Sequence, residues 1–170
     1  SEERKQGTLE LLLTKPISIR SLVYGKFLGA FSLSLLALLP TLVYLYGISE
    51  LKQYTHQIDY SAIATSYIGI CLLLFTFISI SLFSSVLSKN QITAFMIAVF
   101  LNLLLFFAFY GISNFKLLGS EVYALEYLSL NFHYKALSRG VVDTRNLIYL
   151  MSLALVFNEF TRLKIKQLKS

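Results

Sequence analysis

One cysteine stands in the whole chain, Cys71, inside an apolar run. An internal disulfide and a paired-thiol metal or redox site within the chain are therefore both excluded, and the redox compartment is not legible. Other chemistry is missing for equally local reasons. A phosphate-binding loop needs Gly-x-x-x-x-Gly-Lys-[Ser/Thr], whose backbone N–H groups wrap around phosphates. The one Gly-Lys here, Gly25-Lys26, has Arg20 where the first glycine belongs and Phe27 after the lysine. His56 and His133 have no neighbouring ligand-type partner, and there is no His-Glu-x-x-His pair, which argues against a metalloprotease. Ser79, Ser81, Ser84 and Ser85 have neither a base nor a Gly-x-Ser-x-Gly setting, and at helical spacing they read as packing groups. No catalytic, cofactor-binding or metal-binding residue is expected in this chain.

Charge is also scarce. Only 14% of residues are charged while 56% are hydrophobic, and the mean hydropathy is +0.66. The apolar residues come in long runs, so the composition is that of an integral membrane protein. A net charge of +6 raises the question of nucleic acid. The basic residues cluster beside apolar spans and no aromatic–basic module accompanies them, so no nucleic-acid partner is expected. The first apolar span follows a polar segment of mixed charge without a small-residue cleavage pattern, unlike a signal peptide. Internal repeats, low-complexity tracts and soluble linkers are lacking, which makes residues 1–170 a single membrane domain.

Four segments are predicted to cross the bilayer. Phe27 to Ile48 holds 22 residues without charge, and at ~1.5 Å per residue such a helix covers a hydrocarbon core of roughly 30 Å. Ser61 to Ser88 is a second uncharged run, of 28 residues, and Gln91 to Ile112 a third, dense in Phe and Leu. Leu147 to Leu163 is the weakest, because Asn158-Glu159 interrupt it. Glu159 is expected near the headgroups, where Arg162 three residues on can pair with it. If residues 1–26 are cytoplasmic, the inside carries ten of the fifteen basic residues: Arg4, Lys5, Lys15, Arg20, Lys26, Lys89, Arg162, Lys164, Lys166 and Lys169. That asymmetry favours both ends inside, with residues 164–170 as a cytoplasmic tail and two outward loops, 49–60 and 113–146.

The opening stretch, "SEERKQGTLELLLTKPISIR", then becomes readable. Glu2 and Glu3 lie where a helix N-terminus favours negative charge, Leu9, Leu12 and Leu13 form a short apolar face, and Pro16 ends the segment. Ser18 can cap a new helix running into the membrane through Lys26. From pattern alone this is an amphipathic helix resting on the cytoplasmic lipid surface. Glu3 and Glu10, seven residues apart, would share one of its faces.

Those same residues carry a resemblance. "EERKQGTLELLLTKPIS", Glu2 to Ser18, followed by "LVYGKFLGAF", Leu22 to Phe31, resembles the signature of ABC-2-type transporter permeases. "SRGVVDTRNLIYLMSL", Ser138 to Leu153, is similar to the start of the last helix in the gliding-motility-associated branch and its nitrous-oxide-reductase-accessory relatives. The resemblance implies an all-α permease subunit of a bacterial exporter in the inner membrane. Its partners would be a separate ABC ATPase, which holds ATP and Mg, and a second permease chain, identical or related. It also makes the first segment a cytoplasmic coupling helix, with Glu2, Glu3, Arg4, Gly7, Thr8, Leu9, Glu10 and Leu13 facing the ATPase. Family members usually have six spans, two of them ahead of this segment. The sequence supplies four and starts without Met, so the simplest expectation is a fragment lacking the first two helices. A rival without a transport pathway is a membrane anchor or scaffold of a motility or envelope machine.

Three polar positions invite a site reading. Asn102, mid-span, either bonds a neighbouring helix or lines a pathway. Asp143 either caps the last helix, with Arg145 snorkelling to the headgroups, or the two contact substrate. Pro40 interrupts the first span and frees a carbonyl near Leu36, which predicts a kink. In the longer outward loop, Leu118, Val122, Leu125, Leu128, Phe132 and Ala136 predict one helical stripe. One or two short interfacial helices with a break near Asn131 would then roof the pathway.

Overall fold

The computed structural model describes residues 1–8, 18–51, 59–109, 111, 126–140 and 142–169. Among the described residues every regular element is helical. A one-turn helix α1 (Glu2–Lys5) precedes α2 (Ile19–Leu51), α3 (Tyr60–Leu87), α4 (Gln91–Leu103), α5 (Leu130–Ser138) and α6 (Thr144–Lys169). The apolar runs set the lengths of the long helices, and small polar residues set their starts. Asp59 accepts from the amides of Ser61 and Ala62 at the head of α3, Asn90 from Ile92 at the head of α4, and Ser129 from Asn131 at the head of α5. Each side chain satisfies a donor that has no partner within the first turn.

Three helices are long and apolar enough to cross a membrane: Ile19–Gly47, Tyr60–Leu87 and Gln91–Ala108. The expected bounds of the first three spans fall within these helices or within a few residues of their ends. The fourth differs. α6 runs unbroken for 26 residues from Thr144 to Lys169, so the expected tail after Leu163 is helical up to Lys169. α6 is not in that set: it carries Arg145, Asn158, Glu159 and Arg162, with three lysines toward its end.

α3 is the hub, and α2, α4, α5 and α6 all pack on it. Its face toward α6 is small and polar, with Thr76, Ser79 and Ser84 fully buried. Their hydroxyls bond carbonyls one turn back in their own helix, at 3.0, 2.9 and 2.9 Å, so these three hydroxyls keep a partner where the helices approach closely. Thr76 also reaches Leu150 O on α6 at 3.1 Å. Leu130, Leu137 and Leu150 form the buried centre where α5 and α6 meet α3. At the tightest point, a Cβ built on Gly69 would lie 3.1 Å from Leu137 Cβ, and that approach is why a glycine stands there.

α2 is held mainly by its first turns. Val23 and Phe27 are buried, and Phe27 and Phe31 meet Phe75 edge-on with ring centroids 4.5 and 5.5 Å apart. Farther along, Leu33, Val43 and Tyr44 are about 70% exposed, an arrangement suited to a lipid solvent, where an apolar surface carries no hydration cost. α2 continues through Pro40, and next to it Thr41 Oγ1 lies 2.8 Å from the Tyr67 hydroxyl on α3.

α4 ends in a π-helical turn, Leu104–Ala108. Widening to i→i+5 bonding leaves a carbonyl without its regular partner, and Ser129 Oγ donates to Phe106 O at 3.0 Å. The segment that carries α5 is thus pinned to the end of α4. It also corrects the expected stripe. The break falls at Leu128–Ser129, close to the predicted Asn131, but the buried face of α5 is Leu130, Asn131, His133 and Leu137. Leu128 is exposed, and Phe132 and Ala136 are only half-buried. A stripe drawn unbroken through residues 118–136 carried one helical phase across a boundary where a new helix starts. Leu118, Val122 and Leu125 lie outside the described residues.

Candidate functional site

The first eight residues lie against one end of the bundle. α1 is a single turn, Glu2–Lys5, with both glutamates in that turn. Gly7 then adopts φ +71°, the left-handed region in which a side chain costs about 1–2 kcal/mol, and helix resumes at Thr8. The expected continuous helix from Glu2 to Leu13 is therefore broken at Gln6–Gly7, because a glycine there lets the chain turn. Leu9, Glu10, Leu13 and Pro16 lie outside the described residues.

Glu3 does not stand free. Its carboxylate forms an ion pair with Lys26 on α2. Thr8 Oγ1 donates to Glu3 O at 3.3 Å and Gln6 Nε2 to Glu2 Oε1 at 3.4 Å. Ser18 caps α2 as predicted: the Ser21 amide donates to Ser18 Oγ at 3.1 Å. Composition and spacing left Lys26 among the topology-setting bases, since no local pattern pairs residues twenty-three apart.

Of the polar positions singled out in the spans, Asn102 Nδ2 bonds Ser81 Oγ on α3 at 3.2 Å and Ala98 O at 2.9 Å. That is the interhelical bond of the packing account. Asn102 also borders an open groove of about 540 Å³ between α3 and α4, with Phe77, Ser81, Ala94 and Ala98. Asp143 Oδ1 accepts from the Arg145 amide at 2.8 Å, a helix cap, while Arg145 itself is exposed. The structure does not bring Asn102 together with Asp143 or Arg145.

Two buried polar pairs went unnoticed in the sequence. His133 is 1% exposed, with Nδ1 2.7 Å from Asn146 Oδ1 and Nε2 2.8 Å from Tyr127 O. Its ring stacks on Tyr149 with centroids 4.1 Å apart. Asn158, the residue that interrupts the last apolar run, is 2% exposed and donates to Ser79 Oγ at 3.2 Å. Beside it Glu159 pairs with Arg162 at 2.6 Å, as the spacing predicts. Among the described residues no group of three His, Cys, Asp or Glu side chains is placed to hold a metal.

These features together describe helices fit to cross a bilayer, sewn by small polar contacts, with a short charged segment folded against one end. Residues 1–160 match the family described as ABC-2 family transporter protein. The chain belongs to the ABC-2 transporter family. No curated protein and no solved structure gives a match. Membership makes this a multi-pass membrane protein of the permease type, and it implies an ABC ATPase as partner. In this family the membrane subunit is typically non-catalytic.

Proposed function

We propose that this ABC-2 permease carries work from a separate ATPase, which binds ATP and Mg, into the membrane helices of a bacterial inner-membrane exporter. The observation that carries the reading is the folded-back first segment. Its acidic turn and Gly7 bend lie beside the start of α2, and Glu3 is ion-paired to that helix. A body that docks on residues 1–13 would thereby move α2. On this reading Glu2, Glu3, Arg4, Gly7, Thr8, Leu9, Glu10 and Leu13 make up the coupling segment, and both ends of the chain are cytoplasmic. α6 is the fourth crossing: its Asn158 faces α3 rather than lipid, and its charges gather toward Lys169. A second permease chain completes the pathway. The similarity of residues 138–153 to the gliding-motility-associated permeases supports placing it in that branch.

The test is affinity purification of the full-length protein from membranes, with partner identification and ATPase assays in lipid. An ATP-hydrolysing subunit should co-purify, and E10K should weaken its capture while membrane insertion stays intact. Recovery of motility or envelope components with no ATPase would instead support the non-transporting scaffold.

A further inference from the structure

Residues 1–8 are fastened to the bundle at a point remote from their peptide connection to α2, where Glu3 pairs with Lys26. Behind this contact lies a small cavity of about 50 Å³, whose walls include Val23 of α2, Leu82 of α3, and Thr161 and Ile165 of α6. Three long helices thus converge at one spot, directly under Glu3. Val23 and Ile165 are 3% and 5% exposed, whereas the Glu3 and Lys26 side chains are 39% and 40% exposed. The half-exposed pair lines the rim of a junction whose apolar walls are buried.

A single backbone connection lets a segment pull on a helix but leaves it free to pivot. Gly7 at φ +71° removes the alternative of a rigid rod, because the helical path between Glu3 and Ser18 is interrupted. A second attachment, offset from the first, fixes the segment's orientation and transmits tilt. We infer that Lys26 is a positioning residue for coupling: through its ion pair with Glu3 it forms the second leg between the ATPase-facing segment and the junction of α2, α3 and α6. This rests on the permease reading above. Displacing the segment then levers the start of α2 against the ends of α3 and α6, instead of merely pulling on the chain that connects it to α2. A half-exposed pair is also sensitive to screening, so the coupling it carries weakens as salt rises toward molar concentration.

The test uses the full-length protein with its ATPase in lipid. K26E should lower permease-dependent ATPase stimulation by up to about fivefold, the range of an exposed ion pair, with ATPase capture unchanged, and E3K should lower the same stimulation at least as far. The double reversal E3K/K26E should restore most of the loss. K26Q serves as a second variant, should K26E disturb insertion by placing an acid on the positive side. In a C71S background, E3C/K26C should also be cross-linked by a short bifunctional thiol reagent in native membranes, a readout that needs no ATPase. Loss of ATPase capture in E3K without rescue by K26E would make Glu3 a docking contact and overturn the proposal. So would single variants that couple like wild type, or E3C/K26C that does not cross-link. If wild type captures no ATPase while E3C/K26C cross-links, the permease reading fails and the junction geometry stands.

Discussion

Asn158 on α6 donates its amide to Ser79 Oγ on α3 across 3.2 Å, with both residues buried. The Asn158 carbonyl oxygen, like that of Asn102, is buried without a hydrogen-bond partner among the described residues. Interhelical bonds of this kind average about 0.6 kcal/mol in membranes, while a buried unpaired polar group costs about 1–3 kcal/mol. The orphaned carbonyl therefore outweighs the bond, and the pair stabilises chiefly by keeping the amide N–H occupied.

Substitution should expose that asymmetry. S79A leaves the whole Asn158 amide unsatisfied and is expected to destabilise by about 1–3 kcal/mol. N158L removes donor and acceptor together, so it should cost less than S79A or even stabilise. In reversible unfolding in mixed micelles, S79A should have little further effect once Asn158 is gone. Additive single and double variants would show that the two residues are not coupled.

The same pair shows what a sequence can and cannot disclose about this fold. Uncharged runs bounded by charge located α2, α3 and α4, because in a membrane chain the exclusion of charge is a length measurement. Ser18 and Asp143 were legible as caps because an N-cap acts within three residues of itself. Asn158 counted against the last span only because a hydropathy sum weighs polarity without direction, and its polar group points at Ser79 rather than at lipid. The face buried by α5 was misread because apolar residues line both lipid and core, so a stripe alone does not choose between them. His133 with Asn146, and Glu3 with Lys26, join segments whose meeting depends on helices elsewhere in the chain. Those contacts appear only once the bundle is assembled.

His133 should behave as a clasp for the segment that carries α5. It ties Tyr127 O on one side to Asn146 on the other, with Tyr149 stacked against its ring. H133A would leave Tyr127 O and the Asn146 side chain without these bonds, at about 1–3 kcal/mol for each orphaned group. Amide exchange across residues 126–138 should accelerate, while the middle of α3 keeps its protection. Equal acceleration in both regions would mean that His133 supports the whole bundle and not this segment.

Acid should loosen the head of α3. Asp59 is held below the ordinary aspartate range, first by the Ser61 hydroxyl at 2.6 Å and then by the Ala62 amide at 3.1 Å, with a smaller contribution from the Ser61 amide. A carboxyl whose folded value is depressed contributes stability above its unfolded value, and loses it as pH falls through the folded one. The cap should thus be intact at neutral pH and fail only on acidification past the ordinary carboxylate range. Fraying at Ser61 and Ala62, followed by amide exchange corrected for intrinsic pH effects, should appear there in wild type. D59A should fray at every pH, and a wild type that frays already near neutrality would contradict the assignment.

Orientation decides whether the coupling segment can meet an ATPase at all. Lys89 sits in the tight connection between α3 and α4, where Asn90 caps the next helix, and it belongs with the ten basic residues gathered on one side of the expected arrangement. Lys116 belongs to the expected outward segment 113–146 and lies outside the described residues. The excess of Lys and Arg marks the cytoplasmic face, because cationic loops resist translocation. With Cys71 replaced by serine, an impermeant thiol reagent on intact cells should label K116C and spare K89C, and permeabilisation should then expose K89C. The inverse pattern would place residues 1–8, which share the Lys89 side in this arrangement, outside the cell. An ATP-hydrolysing partner could not reach them there, and the coupling role would fall even though the helices and their packing remained as described.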